Sequence, residues 1–165
     1  MDQVQERFER AVGDDFVRWY NAVNGTAFTF SGRAGEAPDL VYRDGETPLH
    51  IEVSAAYYDD AEAALRWKNL RLRPDAPDRG SGINPDESLV AHINDVLAKK
   101  VAKAYGAACV LVLYVSPPVT TAEELEALLP RPMLPAGHSF EGVYLAGDFR
   151  VTRDSIGGYR VWRLA

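Results

Sequence analysis

Hydrophobic and polar positions alternate most clearly between residues 38 and 54, and this stretch predicts a β-hairpin. Residues 49–54 alternate strictly between apolar and polar side chains, which is the period of a strand with two different faces. Asp44-Gly45 is a typical hairpin turn signal. Asp39 opens the first predicted strand and Glu52 lies near the end of the second. In a twisted antiparallel pair these two carboxylates are expected to converge, whereas a surface hairpin with solvated acids is the plainer alternative.

The other elements follow from helical periodicity, short apolar runs and turn residues. Alternating helical and strand patterns, with one continuously apolar strand, predict an α/β fold with a mixed central β-sheet flanked by helices. We expect one domain over residues 1–165, with a core over 1–116 and a C-terminal extension of the sheet over 117–165. The predicted elements outside the hairpin are a helix over 3–23 with a break at 13–15, a strand over 27–30, a loop over 31–37, a helix over 59–70, a loop over 71–87, a helix over 85–105, a buried strand over 107–115, a helix over 121–129, a loop over 131–137, and strands over 142–146 and 159–164.

Composition narrows the class of protein. The chain has 165 residues, of which 47% are hydrophobic and 25% charged, as in ordinary globular proteins. It has no apolar run near the roughly 20 residues of a membrane span and no signal-peptide pattern, so we expect a cytoplasmic protein without membrane contact. The only cysteine, Cys109, lies in an apolar run and is expected to be a small buried hydrophobe. A net charge of −6 argues against strong non-specific nucleic-acid binding but allows a local basic patch.

Candidate chemistry centres on the paired acids, because carboxylate oxygens are the ligands that Mg²⁺ prefers. No zinc spacing, phosphate loop or Gly-x-Ser-x-Gly motif is present. Pro38-Asp39, a short gap and Glu52-Val53-Ser54, within the order helix, strand, hairpin, helix and buried strand, resemble the PD-(D/E)XK nuclease superfamily, whose fold is restriction-endonuclease-like. The resemblance covers about residues 1–116.

The resemblance implies a Mg²⁺-dependent or Mn²⁺-dependent endonuclease or exonuclease that hydrolyses nucleic acid, with DNA expected rather than RNA. Asp39 and Glu52 would be the metal ligands. An acid on the first helix would assist, either Glu9 or, as a second choice, Glu6; a solvated helix acid is the alternative. The family's Lys two residues after the Glu is replaced here by Ser54, which cannot supply a positive charge.

Helical phase suggests where the missing cation lies. On the helix predicted over 85–105, Lys100 falls in the middle of the apolar face. Burial of an unpaired ammonium is costly, so Lys100 should have an anionic partner, unless its side chain reaches solvent from the edge of that face. The segment from Lys100 to Tyr105 also resembles a K-x-x-K-x-Y helix of this superfamily. We therefore predict Lys100 as a relocated catalytic lysine.

Three further residues are candidates for substrate contact: Ser54, Lys68 and Lys103. Lys68 belongs to a basic cluster over residues 66–73 that phosphate contact or simple solvation would explain. Two other functions remain open at the level of sequence. One is a catalytically impaired domain of the same fold, acting as an immunity-like or antitoxin-like interaction module. The other is an unrelated α/β domain that happens to contain the hairpin. The sequence is also compatible with a homodimer or with a complex with another protein.

Overall fold

Six β-strands form one mixed sheet in the computed structural model. The structure describes residues 3–35, 37–56, 85–105, 107–115, 122–129, 137–149 and 158–165. The helices are α1 (Gln3–Asn24), α2 (Pro85–Val101) and α3 (Ala122–Leu128), and the strands are β1 (Thr29–Gly32), β2 (Leu40–Asp44), β3 (Thr47–Ala56), β4 (Val110–Val115), β5 (Gly142–Asp148) and β6 (Tyr159–Arg163).

The strands lie in the sheet in the same order as in the chain. The β3–β4 and β4–β5 pairs are parallel, whereas β1–β2, β2–β3 and β5–β6 are antiparallel. The predicted α/β class, with a mixed sheet flanked by helices, is therefore confirmed. The apolar strand predicted at the centre is β4, and β5 and β6 continue the sheet beyond it.

Helices cover both faces of the sheet because the inner strands are apolar on both sides. On one face α1 packs through Val12, Phe16 and Val17 against alternate residues of β2 to β5. On the other face α2 and α3 pack against the intervening strand residues, and this second core includes Leu97 and Leu125. None of the helices in the described ranges is long and apolar enough to cross a lipid bilayer.

The predicted break at residues 13–15 is wrong, because α1 continues through them. Gly13 faces Leu40 and Tyr42 so closely that a Cβ atom there would lie 2.7 Å from the Tyr42 hydroxyl oxygen. Asp14 accepts hydrogen bonds from Arg10 and from Tyr42. The glycine thus serves close packing of helix on sheet rather than helix termination.

Two other boundaries differ from prediction for reasons of hydrogen bonding. The first strand begins at Thr29 rather than at residue 27, because the Asn21 side chain binds both the N–H and the C=O of Phe28. The Ala27 N–H is likewise taken by Asp44 Oδ2. Helix α2 ends at Val101 and not at Tyr105. The predicted helix over 59–70 and most of the predicted loops over 71–87 and 131–137 lie outside the described residues.

Candidate functional site

The hairpin register places Asp39 and Glu52 side by side. Leu40 is paired with Ile51 across β2 and β3, so continuing this register by one residue puts Asp39 directly opposite Glu52. Cross-strand neighbours have Cβ atoms roughly 5 Å apart and point to the same face. Asp39 Oδ2 also accepts a hydrogen bond of 2.9 Å from the Val53 N–H, which fixes the carboxylate at the end of the ladder.

Glu52 is the anionic centre of the site. Its side chain is only 1% exposed, and its Oε1 accepts a hydrogen bond of 2.6 Å from Lys100 Nζ. Lys103 Nζ lies 3.5 Å from the same oxygen, and the Tyr105 hydroxyl donates to it over a longer distance of 3.4 Å. The anionic partner that the helical phase demanded for Lys100 is therefore Glu52.

The early end of α2 explains how these groups reach one carboxylate. After Val101 the chain makes a turn in which the Lys103 N–H donates to the Lys100 carbonyl oxygen. Lys103 and Tyr105 consequently leave the helical phase and approach the sheet on either side of Lys100. Lysines in the last turn of a helix are also favoured by its dipole, which stabilises this arrangement locally.

The second oxygen of Glu52, Oε2, is buried and has no hydrogen-bond partner among the residues that the structure describes. An unsatisfied buried polar atom typically costs about 1–3 kcal/mol, more when the group is charged. Such an atom fits a site that receives a cation. Within the described part of the chain, no group of three or more His, Cys, Asp or Glu side chains is arranged to hold a metal ion. Two carboxylates nevertheless suit Mg²⁺, which commonly binds through one or two of them and keeps several waters.

The pKa of Asp39 is raised to about 6, first by burial and then by the negative charges of Glu52 and Glu9, while the Val53 N–H and Lys100 partly oppose the rise. The ordinary value is 3.8. Since the folded state holds the Asp39 proton more tightly than the unfolded state, ionising Asp39 costs stability as pH rises through about 6. A bound cation would relieve that cost.

This shift predicts a pH-dependent effect of Asp39→Asn, which mimics the neutral acid. In EDTA the variant should be more stable than wild type at pH 7.5, by up to about 3 kcal/mol before solvent screening is allowed for, and the difference should vanish near pH 4. Urea unfolding followed by tryptophan fluorescence measures this difference. A wild-type-to-variant difference that stays constant between pH 4 and 7.5 would contradict the assigned environment of Asp39.

Glu9 is buried beside the site but already has partners. Its Oε2 lies 2.5 Å from an Arg33 guanidinium nitrogen, and its Oε1 accepts a hydrogen bond from Gln5. The charge of Glu9 reaches Asp39, whose pKa it raises. The first-helix acid is thus within electrostatic reach of Asp39 while paired with Arg33. Glu6, the second choice, lines a neighbouring cavity.

Two of the three predicted substrate-contact residues, Ser54 and Lys103, lie near Glu52. Ser54 lies on β3 two residues after Glu52, on the same side of the sheet, and is partly buried. Lys103 is 45% exposed, so its ammonium group is accessible to a ligand while it remains near Glu52. Lys68 lies outside the described residues.

Cys109 is buried, as predicted, and lies immediately before β4. Burial, with the nearby charge of Glu52, raises the pKa of its thiol to about 12. A thiol of this kind remains protonated at neutral pH and is a poor nucleophile. Cys109 therefore contributes to the core and not to the chemistry of the site.

The sequence did not predict the contacts that Arg33 and Tyr105 make at the site. Arg33 falls in a segment predicted only as a loop, and its pairing with Glu9 spans 24 residues, so no local pattern reveals it. Tyr105 forms part of the quoted K-x-x-K-x-Y pattern, and that pattern was the available signal for its contact with Glu52.

Comparison with known proteins adds no assignment to this geometry. No family model, no curated protein and no solved structure matches the chain.

Proposed function

We propose that this protein is a metal-dependent nuclease with a restriction-endonuclease-like fold. The observation that carries the proposal is the state of Glu52, a fully buried carboxylate opposite a second carboxylate. Lys100 binds one of its oxygens, and the other has no hydrogen-bond partner within the described ranges. The order of helix, three strands, helix and buried strand supports the same family resemblance. Phosphodiester bonds of nucleic acid are the proposed substrate.

The chain's own residues have separate tasks in this proposal. Asp39 and Glu52 would hold Mg²⁺ or Mn²⁺, and the Val53 N–H keeps the Asp39 carboxylate in place. A cation bound there would supply polarisation of a phosphate oxygen and a water of lowered pKa. Lys100, fixed by Glu52 Oε1, places a positive charge where negative charge develops on the phosphate. This position compensates for the Ser54 that stands where the family has lysine.

A second candidate is a non-catalytic interaction module on the same fold. The observation that favours it is that Glu52 and Lys100 neutralise each other within the chain, so the pair has a structural use without any ligand. The net charge of −6 also suits a basic protein partner. This candidate predicts a tight complex with another protein. It predicts no metal binding and no cleavage of nucleic acid.

The two candidates separate in one experiment. Calorimetry should detect Mn²⁺ binding that Asp39→Asn weakens by about tenfold or more, whereas Asp95→Asn, which changes an exposed carboxylate on α2, should leave binding unchanged. End-labelled single-stranded and double-stranded DNA and RNA should be cleaved with Mg²⁺ or Mn²⁺ and not in EDTA. If neither binding nor cleavage occurs, the nuclease proposal fails and the interaction module is favoured.

A further inference from the structure

A cavity of about 450 Å³ opens beside the paired acids, between the first turns of α1 and the strands β1 and β2. Three arginines line it, Arg7, Arg10 and Arg33, together with Phe30 and Leu40. Glu6 is the acidic residue among the described lining residues. Arg10 and Arg33 are paired with Asp14 and Glu9, so the cavity offers an ordered set of guanidinium donors rather than a large excess of positive charge.

Two of the arginines are held in fixed orientations by other parts of the fold. The Arg10 guanidinium carbon lies 3.4 Å from the Phe30 ring centroid, and its Nε donates to both carboxylate oxygens of Asp14. Arg33 is fixed by its ion pair with Glu9. Preorganised guanidinium groups lose little conformational freedom when they bind an anion.

The third arginine is available. Arg7 is exposed and forms no ion pair with any side chain in the described ranges. Its guanidinium group can therefore turn toward an anion in the cavity without breaking an existing pair. The cavity thus combines two arginines held by ion pairs with a third that has no ion pair among the described residues.

The cavity lies near Asp39, although its wall belongs to the α1 face of the sheet and Glu52 points to the α2 face. Leu40, in its wall, is the residue that follows Asp39. Arg33, also in its wall, pairs with Glu9, and the charges of Glu9 and Asp39 both act on Arg33. An anion in the cavity would therefore lie within electrostatic reach of Asp39.

We propose that this cavity binds a phosphate group of a nucleic-acid strand. A nearby phosphate of the same strand would lie at Asp39 and Glu52. The inference rests on the proposed function for the identity of the strand. Guanidinium forks match phosphate oxygens in geometry and charge, and contacts to the backbone fix register without reading sequence. The arginines would thus position the strand, while the acids and Lys100 act on the neighbouring bond.

Neutralising one positive and one negative charge of the cavity should change oligonucleotide binding in opposite directions. Arg7→Gln should weaken binding of a short DNA duplex or single strand by about tenfold and lower the dependence of log K on log salt by about one. Glu6→Gln should strengthen binding several-fold, on the order of threefold to tenfold, because it removes the opposing charge. Arg18→Gln is the matched control, since Arg18 lies on the same helix, 78% exposed and paired with Asp15.

Fluorescence anisotropy with labelled oligonucleotides in EDTA tests this without requiring cleavage. The expected result is opposite effects of Arg7→Gln and Glu6→Gln, with Arg18→Gln unchanged. Equal effects of the Arg7 and Arg18 variants, or the absence of oligonucleotide binding, would overturn the inference. The inference is also overturned if inorganic phosphate displaces the oligonucleotide at about the concentration at which the oligonucleotide binds. The cavity would then be a site for a free phosphate ion and not for a strand.

The two proposals fail separately. Arg7-dependent binding in EDTA without cleavage in Mg²⁺ or Mn²⁺ supports the phosphate site and removes the nuclease. Metal-dependent cleavage with binding that is indifferent to Arg7 and Glu6 supports the nuclease and removes the phosphate site. Circular dichroism spectra that match wild type show that the surface variants retain the fold.

Discussion

Glu52→Gln should lower kcat/KM for metal-dependent hydrolysis by at least about 1000-fold. Glutamine keeps the shape of the side chain and can still accept a hydrogen bond from Lys100, but it removes the negative charge that would attract a cation. A catalytic metal ion typically contributes several kcal/mol to stabilising a transition state, and about 4 kcal/mol corresponds to 1000-fold in rate, so this is the loss that the proposed function predicts. The loss should therefore appear in kcat at saturating metal, beyond any weakening of metal binding.

Glu123→Gln is the matched control for this change. Glu123 is an exposed acid in the first turn of α3. Its variant should retain wild-type hydrolysis. Rates are best measured with oligonucleotides under single-turnover conditions, so that product release does not hide the chemical step. Retention of more than a tenth of wild-type activity by the Glu52 variant would remove Glu52 from the proposed metal site.

Lys100→Met should lower the free energy of unfolding by about 3 kcal/mol at neutral pH. The substitution preserves much of the side-chain volume but leaves the buried carboxylate of Glu52 without its closest cation, at 2.6 Å. Removing one partner of a buried ion pair typically costs 3–5 kcal/mol. Lys103, at 3.5 Å, remains and should hold the loss toward the lower end of this range.

Lys99→Met separates this effect from a general change in the charge of α2. Lys99 precedes Lys100 on the helix and is exposed, so its loss should change stability by less than about 0.5 kcal/mol. The double variant Lys100→Met with Glu52→Gln should recover most of the lost stability, because no unpaired charge remains. Chemical denaturation of wild type, Lys100→Met, Glu52→Gln and the double variant gives the coupling energy of the pair, and Lys99→Met is measured as the control. A coupling near zero would show that the pair contributes nothing to folding.

The parts of the site that the sequence predicts are those set by local periodicity. Strict alternation placed Glu52 on the face opposite Ile51, and the turn signal near Gly45 fixed the pairing that brings Asp39 across from it. Helical phase placed Lys100 toward the sheet. These inferences need only the geometry of single elements and one hairpin.

The parts that it does not predict depend on contacts between distant elements. Gly13 resembles a helix breaker until its packing against Tyr42 is known. Nothing local in the chain indicates that Arg33 reaches Glu9 on α1. The end of α2 depends on a turn that brings Lys103 and the Tyr105 hydroxyl to Glu52, a tertiary effect that overrides the helical pattern of that segment.

The buried position of Cys109 makes the native chain its own probe of local opening. It is the single cysteine of the sequence, and it packs in the same apolar cluster as Ile93 and Leu97 of α2. A thiol reagent gains access only when this layer separates from the sheet, so the labelling rate follows the frequency of that separation. Because Lys100 and Glu52 join the same helix to the sheet, labelling kinetics report on openings of the layer that carries this ion pair, without any engineered label.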